Sequence, residues 1–363
     1  MKIALDSACL SSSMTGVGRY FHCLLKELIP LDNSNEYTLF LKEDFEAHFD
    51  FPNLRIKLLN KQGSYFVWQN TLLRKAVASG GFDLFWSPNY TLPFFLPTPS
   101  ILTVHDISWK ALPNNYSPAN RMYRSFASSH GFKKAKVIFT DSDFSKAEII
   151  RCMAVPEDKV KRIHLGIAEN FRRAGDSEIA DFKARYGLGG KRLIGFLGSF
   201  FKRRHIPEII SAFKIVHKQY PDMVLLLVGD SYDSSIPENE LKDPHILWLQ
   251  RLPENEINAF YSSLSLFLYI SEYEGFGLPP LEALNCGTVS LLLRRSSLAE
   301  LYGDIALFVD WPDPGLIAEA ISGFLQQEEE VKRQLLNHWQ SRKPYFSWKR
   351  AAEEYLREIR KLQ

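Results

Sequence analysis

The chain has 363 residues, enough for two domains of ordinary size, and its 45% hydrophobic and 24% charged residues exclude a disordered or fibrous protein. A formal net charge of +2 gives no global field for nucleic acid, and four scattered cysteines without a C-x-x-C pair argue against a disulfide or zinc framework. No apolar run approaches the roughly 20 residues of a membrane span, and residues 1–6 read directly as a strand without a signal-like segment, so a cytoplasmic location is expected.

The first half follows a strand–loop–helix grammar. Ile3-Ala4-Leu5 is a strand, followed by a loop with Gly16-Val17-Gly18-Arg19-Tyr20 and an apolar-periodic segment over residues 21–29. The third position of a dinucleotide glycine fingerprint is Phe21, so that fingerprint is absent, and Gly16 also suits a plain helix-entry turn. Residues 36–41, 54–58 and 82–87 are strands, and residues 68–78 a helix. Residues 90–97, rich in Pro and Phe, are expected to cover the core, the alternatives being an acceptor surface or a membrane-facing one. Residues 101–104 form a buried strand ending in His105-Asp106, and a polar pair at the carboxyl end of a parallel strand lies where α/β sheets place ligands. A satisfied core histidine is the competing reading of His105. Residues 127–134 are helical, 137–140 a strand, and Ser142 or Asp143 caps the next helix. Residues 160–167 close this half.

The second half repeats the grammar. Residues 193–198 are a strand, followed by the basic loop Ser199-Phe200-Phe201-Lys202-Arg203-Arg204-His205 and a helix over 206–220. Three cations on one loop suit a diphosphate, because charge-assisted hydrogen bonds are worth about 1.5–3 kcal/mol each. Residues 224–230 are a buried strand, 231–244 a polar loop and 246–249 a strand that leads to Leu252. Residues 254–263 are a helix, and residues 264–270 a buried strand running into Ser271-Glu272-Tyr273-Glu274-Gly275-Phe276-Gly277-Leu278-Pro279-Pro280-Leu281-Glu282. The last stretch joins a glycine turn to a helix start expected at Pro280, with Glu282 in its first turn. A helix N-terminus offers backbone N–H groups and a positive dipole end to an anion. An ordinary turn with a capping glutamate is the plainer alternative. Strands at 289–293 and 306–310, helices from 296 and over 314–327, and an amphipathic helix over 349–362 complete the chain.

Glu274-Gly275-Phe276-Gly277-Leu278-Pro279-Pro280-Leu281-Glu282-Ala283, with seven residues between the glutamates, resembles the motif of retaining glycosyltransferases of family 4, mannosyltransferase-like branch. The Gly16-Val17-Gly18-Arg19-Tyr20 loop, His105-Asp106, residues 140–142, residues 164–167 and Phe346-Ser347-Trp348 resemble other family segments. The resemblance implies a GT-B fold, two Rossmann-like doubly wound domains facing across a cleft. Residues 1–168 form the acceptor domain, joined by the terminal helix 346–363; 169–187 are a linker, one helix being expected within residues 168–190, and 188–342 the donor domain. It implies that Glu274 binds the donor sugar, Glu282 the ribose, and Gly16, Gly18, Ser199, Lys202, Arg203 and Arg204 the diphosphate, while Gly275 and the N–H groups of Phe276, Gly277 and Leu278 meet phosphate or sugar oxygens of the donor. Leu252 meets the nucleobase, and His105 lines the reacting sugar. Glu274, His105 and Arg204 are the catalytic candidates, and Asp106 is the acceptor candidate. The family has arginine, lysine and asparagine on the basic loop. Here Arg204 aligns with the lysine and His205 with the asparagine, which leaves the phosphate-binding role open between Arg204 and Lys202.

No cofactor and no metal is assigned. The co-substrate is a nucleotide sugar, GDP-mannose ahead of a UDP-sugar, and the acceptor a saccharide or lipid-linked sugar. A sugar-nucleotide epimerase, a phosphorylase or a non-catalytic binding subunit are the alternatives. Lys133, Lys134, Lys136 and the Phe94-Phe95 loop offer a peripheral contact with the inner membrane face, against a solvated helix face and a buried loop.

Overall fold

A computed structural model describes residues 1–11, 15–45, 49–60, 63–233, 236 and 239–363. The polar loop expected at 231–244 lies partly outside them. The chain divides into two compact units, Met1–Gly166 with Tyr345–Gln363, and Ile167–Pro344.

The first unit is built on a seven-stranded parallel sheet. Its strands are β1 (Lys2–Asp6), β2 (Glu36–Leu41), β3 (Leu54–Leu58), β4 (Leu84–Ser87), β5 (Ser100–Thr103), β6 (Val137–Thr140) and β7 (Val160–Arg162), in the order β3-β2-β1-β4-β5-β6-β7. The second unit carries six parallel strands: β8 (Arg192–Leu197), β9 (Met223–Val228), β10 (Ile246–Leu249), β11 (Leu266–Tyr269), β12 (Ser290–Leu293) and β13 (Leu307–Val309), in the order β10-β9-β8-β11-β12-β13. The central strands read as unbroken apolar runs because both faces are covered. All six residues of β9 are buried, as are all four of β4, β5, β6, β11 and β12. Strand order reverses between β1 and β4 in the first sheet and between β8 and β11 in the second. Loops leaving the carboxyl ends at such a point diverge and open a ligand crevice.

The terminal helix Trp348–Arg360 belongs to the first unit. It buries Ala351, Ala352, Tyr355, Leu356 and Ile359 against the Gly16–Leu31 helix, an i, i+4 stripe. Tyr355 stacks on Trp86 at 5.2 Å, and its hydroxyl accepts from Tyr20 at 2.9 Å. Gly166 allows this docking: a Cβ there would lie 2.2 Å from the Trp348 nitrogen.

Several elements differ from the sequence reading. The helix expected over 127–134 runs Pro118–Lys134, with Ser117 Oγ accepting from Asn120 N and Pro118 at the first position. Its first turns escaped notice because they carry no buried apolar residue. Residues 169–187, read as a linker with one helix, lie in the second unit, and that helix, Asp176–Arg185, packs on the helix Ile257–Ser263. A second helix, Glu328–Arg342, follows Pro314–Gln326. Residues 90–97 do not simply cover the core: Phe95 is 87% exposed.

Candidate functional site

In the second unit, the loops after β8 and β11 flank the switch point and are tied together. Glu272 N donates to Arg203 O at 2.9 Å. Two glycines let the β8 and β9 ends approach each other. Gly198 and Gly229 have φ of 142° and 145°, and a Cβ on Gly229 would sit 2.0 Å from the Gly198 carbonyl oxygen.

The basic loop then turns through Lys202–Arg204, and the chain enters the helix Ile206–His217 through His205 at φ 49°. Histidine, like asparagine, is among the residues enriched in this left-handed region, so it suits the position that the resemblance gives to asparagine. Its Nδ1 and Nε2 each lie 3.4 Å from a carboxylate, Glu208 and Glu272 respectively.

The three cations have different surroundings. Arg204 Nε donates to Glu274 Oε1 at 2.9 Å and its Nη1 to the Ser199 carbonyl at 3.0 Å, while its guanidinium lies over Tyr269. Arg203 Nε donates to the Tyr273 carbonyl, and its guanidinium covers Phe201. Lys202 is exposed.

Glu274 is 8% exposed. Its Oε1 accepts from Arg204 Nε, from Tyr269 Oη at 3.1 Å and from Ser271 Oγ at 2.9 Å. Oε2 has no donor among the described residues. Burial pushes this carboxyl up. The charges of Arg204 and Arg203 and hydrogen bonds from Arg204 and Ser271 outweigh burial and hold it below the usual glutamate value. Glu274 is therefore an ionised, rigid acceptor with one oxygen saturated. Its backbone is fixed by Ser296, which accepts from its N–H, and by Ser297, which donates to its carbonyl.

The following helix spans Leu278–Asn285, two residues earlier than expected, with Gly277 at φ 86° before it. Glu282 consequently lies in the second turn, not the first, and derives no support from the end of the dipole. It is buried, and Tyr261 Oη donates to its Oε2 at 2.7 Å. A Cβ on Gly277 would meet Leu298 at 2.7 Å, and Tyr302 donates to the Gly277 carbonyl. Gly275 and Phe276 are buried, Leu278 half-buried. Leu252 is half-buried on the loop after β10.

In the first unit, His105 follows β5, and its Nδ1 lies 2.6 Å from Asp141 Oδ2 at the end of neighbouring β6. Burial pulls the imidazolium down. The Asp141 charge and hydrogen bond, aided by Asp106 and the Pro88 carbonyl, reverse the sign and raise its pKa. The Tyr20 ring meets the imidazole edge-on at 4.5 Å. Asp106 Oδ1 accepts from Ser108 N at 2.9 Å and Ser108 Oγ at 2.7 Å, an Asx turn that starts the helix Ser108–Ala111. Asp141 and Asp143 have the spacing of an acidic metal-binding pair, but their side chains take different partners. Asp143 Oδ1 lies 3.3 Å from Arg162 Nε. Gly16 opens the Gly16–Leu31 helix with space around it, Gly18 is buried in its first turn, and Thr15 gives no side-chain cap.

The family model for glycosyl transferases group 1 matches residues 178–338, and that for Glycosyltransferase Family 4 matches residues 14–171. The chain is a family-4-like glycosyltransferase. The O-antigen chain mannosyltransferase B of Escherichia coli is 28% identical to it over 355 residues, 90% of this chain and 91% of that protein. HepE of Anabaena, solved in complex with UDP and glucose, superposes with a TM-score of 0.77 at 15% identity, covering 99% of this chain and 100% of that one. Sucrose-phosphate synthase from Thermosynechococcus elongatus gives 0.78 at 18%, covering 99% and 98%. With the two parallel sheets, these likenesses give the glycosyltransferase a GT-B fold.

Two buried carboxylates of the glycosyltransferase carry no role in the sequence reading. Asp141 stands beyond β6 as the partner of His105. Asp6 ends β1, next to the switch point of the first sheet, and its Oδ2 accepts from Tyr65 Oη at 2.7 Å and Gln69 Nε2 at 3.0 Å. Burial raises the Asp6 pKa. The available signal was position: both carboxylates end a parallel strand, the criterion that singled out His105.

Proposed function

We propose that this glycosyltransferase moves a hexose from a nucleoside-diphosphate sugar to a hydroxyl of a saccharide or lipid-linked acceptor, with retention at the anomeric carbon. The observation that carries the reading is Glu274, an ionised carboxylate with Oε1 held by three donors and Oε2 given none by the described residues. Such an oxygen is an acceptor for sugar hydroxyls, and its rigidity fixes the sugar before reaction. Lys202, Arg203 and Ser199 meet the diphosphate, and the N–H groups at the Leu278 end of the helix meet phosphate or sugar oxygens. Arg204 acts mainly by holding Glu274 ionised. Glu282 takes the ribose, and Leu252 lies near the base.

When the bond from the anomeric carbon to phosphate breaks, its electron pair leaves with the diphosphate. Fixed cations stabilise that charge without reorganising. The acceptor oxygen attacks the same face, and its proton passes to the departing phosphate. His105, made more basic by Asp141, lines the sugar, and Asp106 orients the acceptor.

Mannose from GDP-mannose is the first choice, supported by the mannosyltransferase relative. UDP bound to HepE supports a UDP-sugar as second choice. The test is binding of a panel of nucleotide sugars by calorimetry, then release of nucleoside diphosphate on adding acceptor saccharides. Turnover of GDP-mannose alone supports the first choice. Binding without release under every acceptor overturns the catalytic reading.

A further inference from the structure

The outward face of the Pro118–Lys134 helix is apolar where a globular protein would be polar. This helix buries Ala127, Ser128, Gly131 and Phe132. On the opposite side, Met122 is 72% exposed and Phe126 61%, with Tyr123 beside them. At 100° per residue the same stripe ends on Lys133 and Lys134, both exposed. A surface helix normally has the reverse arrangement.

The stripe continues onto the loop before β5. Phe94 packs on Phe126 at 5.6 Å and on Phe66 at 6.1 Å, and Phe66 meets Tyr123 at 5.9 Å. Asn70 Oδ1 accepts from Phe94 N at 2.8 Å and anchors the loop. Phe95 is held at φ 58°, a left-handed conformation strained for a bulky residue, and it places its ring in solvent. Strain spent to expose an aromatic ring points to a surface with an occupant.

Charge identifies the occupant. Lys133 and Lys134 lie on the face itself, and residues 51–140, which contain it along with β3 and its Arg55 and Lys57, carry eleven Lys and Arg against two carboxylates, Asp83 and Asp106. The net charge there is +9, so the rest of the chain carries −7 of the overall +2. No helix among the described residues is long and apolar enough to cross a membrane. Aromatic side chains flanked by lysines, on a helix too polar to span, match the boundary of an anionic bilayer.

We infer that the face formed by Phe94, Phe95, Met122, Tyr123, Phe126 and the Lys133-Lys134 pair docks on an anionic lipid surface, the aromatic rings entering the headgroup boundary and the lysines meeting lipid phosphates. This goes beyond the transfer reaction and does not depend on the identity of its donor.

The experiment is cosedimentation of the full chain with phosphatidylcholine vesicles, with and without phosphatidylglycerol. The wild type pellets with the anionic vesicles. Lys133→Ala with Lys134→Ala binds them about thirty-fold more weakly, about five-fold per cation, and the difference from wild type vanishes near 1 M salt, where the Debye length is about 3 Å. Phe95→Ser with Phe126→Ser loses binding by at least about ten-fold at any salt, since apolar insertion is not screened. Melting curves matching the wild type establish that these surface variants are folded. Wild type remaining in the supernatant with anionic vesicles at low salt would overturn the proposal, and so would undiminished binding by the Phe95/Phe126 variant. A dimer in sedimentation velocity that this variant dissolves, without vesicle binding, would replace the lipid by a second copy of the chain.

Discussion

Arg204 Nε and Glu274 Oε1 meet at 2.9 Å across the switch point of the second sheet, joining the loop after β8 to the loop after β11. Both side chains are nearly buried, at 12% and 10% exposure, so little water is at hand to replace the pair. The pair fixes Glu274 and also commits the cation that the family resemblance puts in place of a phosphate-binding lysine.

Breaking this pair should cost stability as well as activity. Glu274→Ala leaves the Arg204 guanidinium without its carboxylate, and losing one partner of a buried pair typically costs about 3–5 kcal/mol. Glu274→Gln keeps an acceptor and should cost less. In urea titrations the order should be wild type, Gln, Ala, while both variants lose transfer. If Glu274→Ala unfolds at the wild-type midpoint, the pair contributes nothing to stability.

The same pair sets an acid limit. The Glu274 carboxyl is held below its ordinary value of 4.5, so its contribution is present above that pH and is lost as pH falls through the lowered value. The stability advantage of wild type over Glu274→Gln should hold above pH 4.5 and shrink on further acidification. Unfolding free energies at stepped pH measure this, and an advantage that grows on acidification would contradict the sign.

Lys202 and Arg204 should separate by readout. Lys202 is exposed, so Lys202→Ala should leave the melting temperature unchanged. It should weaken nucleoside diphosphate binding about 10- to 150-fold, the worth of one charge-assisted hydrogen bond. Arg204→Ala should lower the melting temperature and, because Arg204 Nη1 also holds the Ser199 carbonyl, weaken binding as well. Calorimetry beside thermal melts distinguishes them, and equal melting losses for both would refute the division.

The parallel sheets were legible because buried strands form unbroken apolar runs, and the Glu274–Glu282 loop because glycines and prolines punctuate it. The pairing of Arg204 with Glu274 was not, because 70 residues separate them and the contact follows from β8 and β11 being neighbours. Reading the three cations as one diphosphate cluster treated them as equivalent, whereas packing gives each a different partner. Phe95 was read as cover because apolar residues usually are, and only the backbone turn at φ 58° exposes it. Glu282 was placed one turn early because Pro280 looked like a first helical residue, while Pro279 already occupies the second position.

His105 and Asp141 give a second pH dependence of opposite sign. Asp141 raises the His105 pKa above 6.5, so the pair's stabilisation is complete below that pH and is lost as pH rises through the raised value. Asp141→Asn should lower the His105 titration midpoint, read from its ring protons by NMR. It should also flatten the stability profile above pH 6.5. An unchanged midpoint would remove Asp141 as the cause.

The approach of Gly229 to Gly198 should tolerate no side chain. Gly229→Ala forces a Cβ to within 2.0 Å of the Gly198 carbonyl oxygen at a φ of 145°, so backbone and not a flexible side chain must give way. Strain of this kind costs about 1–3 kcal/mol before any repacking. The displaced segment leads directly into Ser199 and the basic loop. Gly229→Ala should therefore lower the urea midpoint and weaken nucleoside diphosphate binding together, although residue 229 lies on a different strand from the cations. Gly189→Ala, where a Cβ has no neighbour within 4 Å and φ is not positive, is the matched control and should leave both unchanged. If Gly229→Ala lowers stability but binds nucleotide normally, the crossing supports the sheet and not the basic loop.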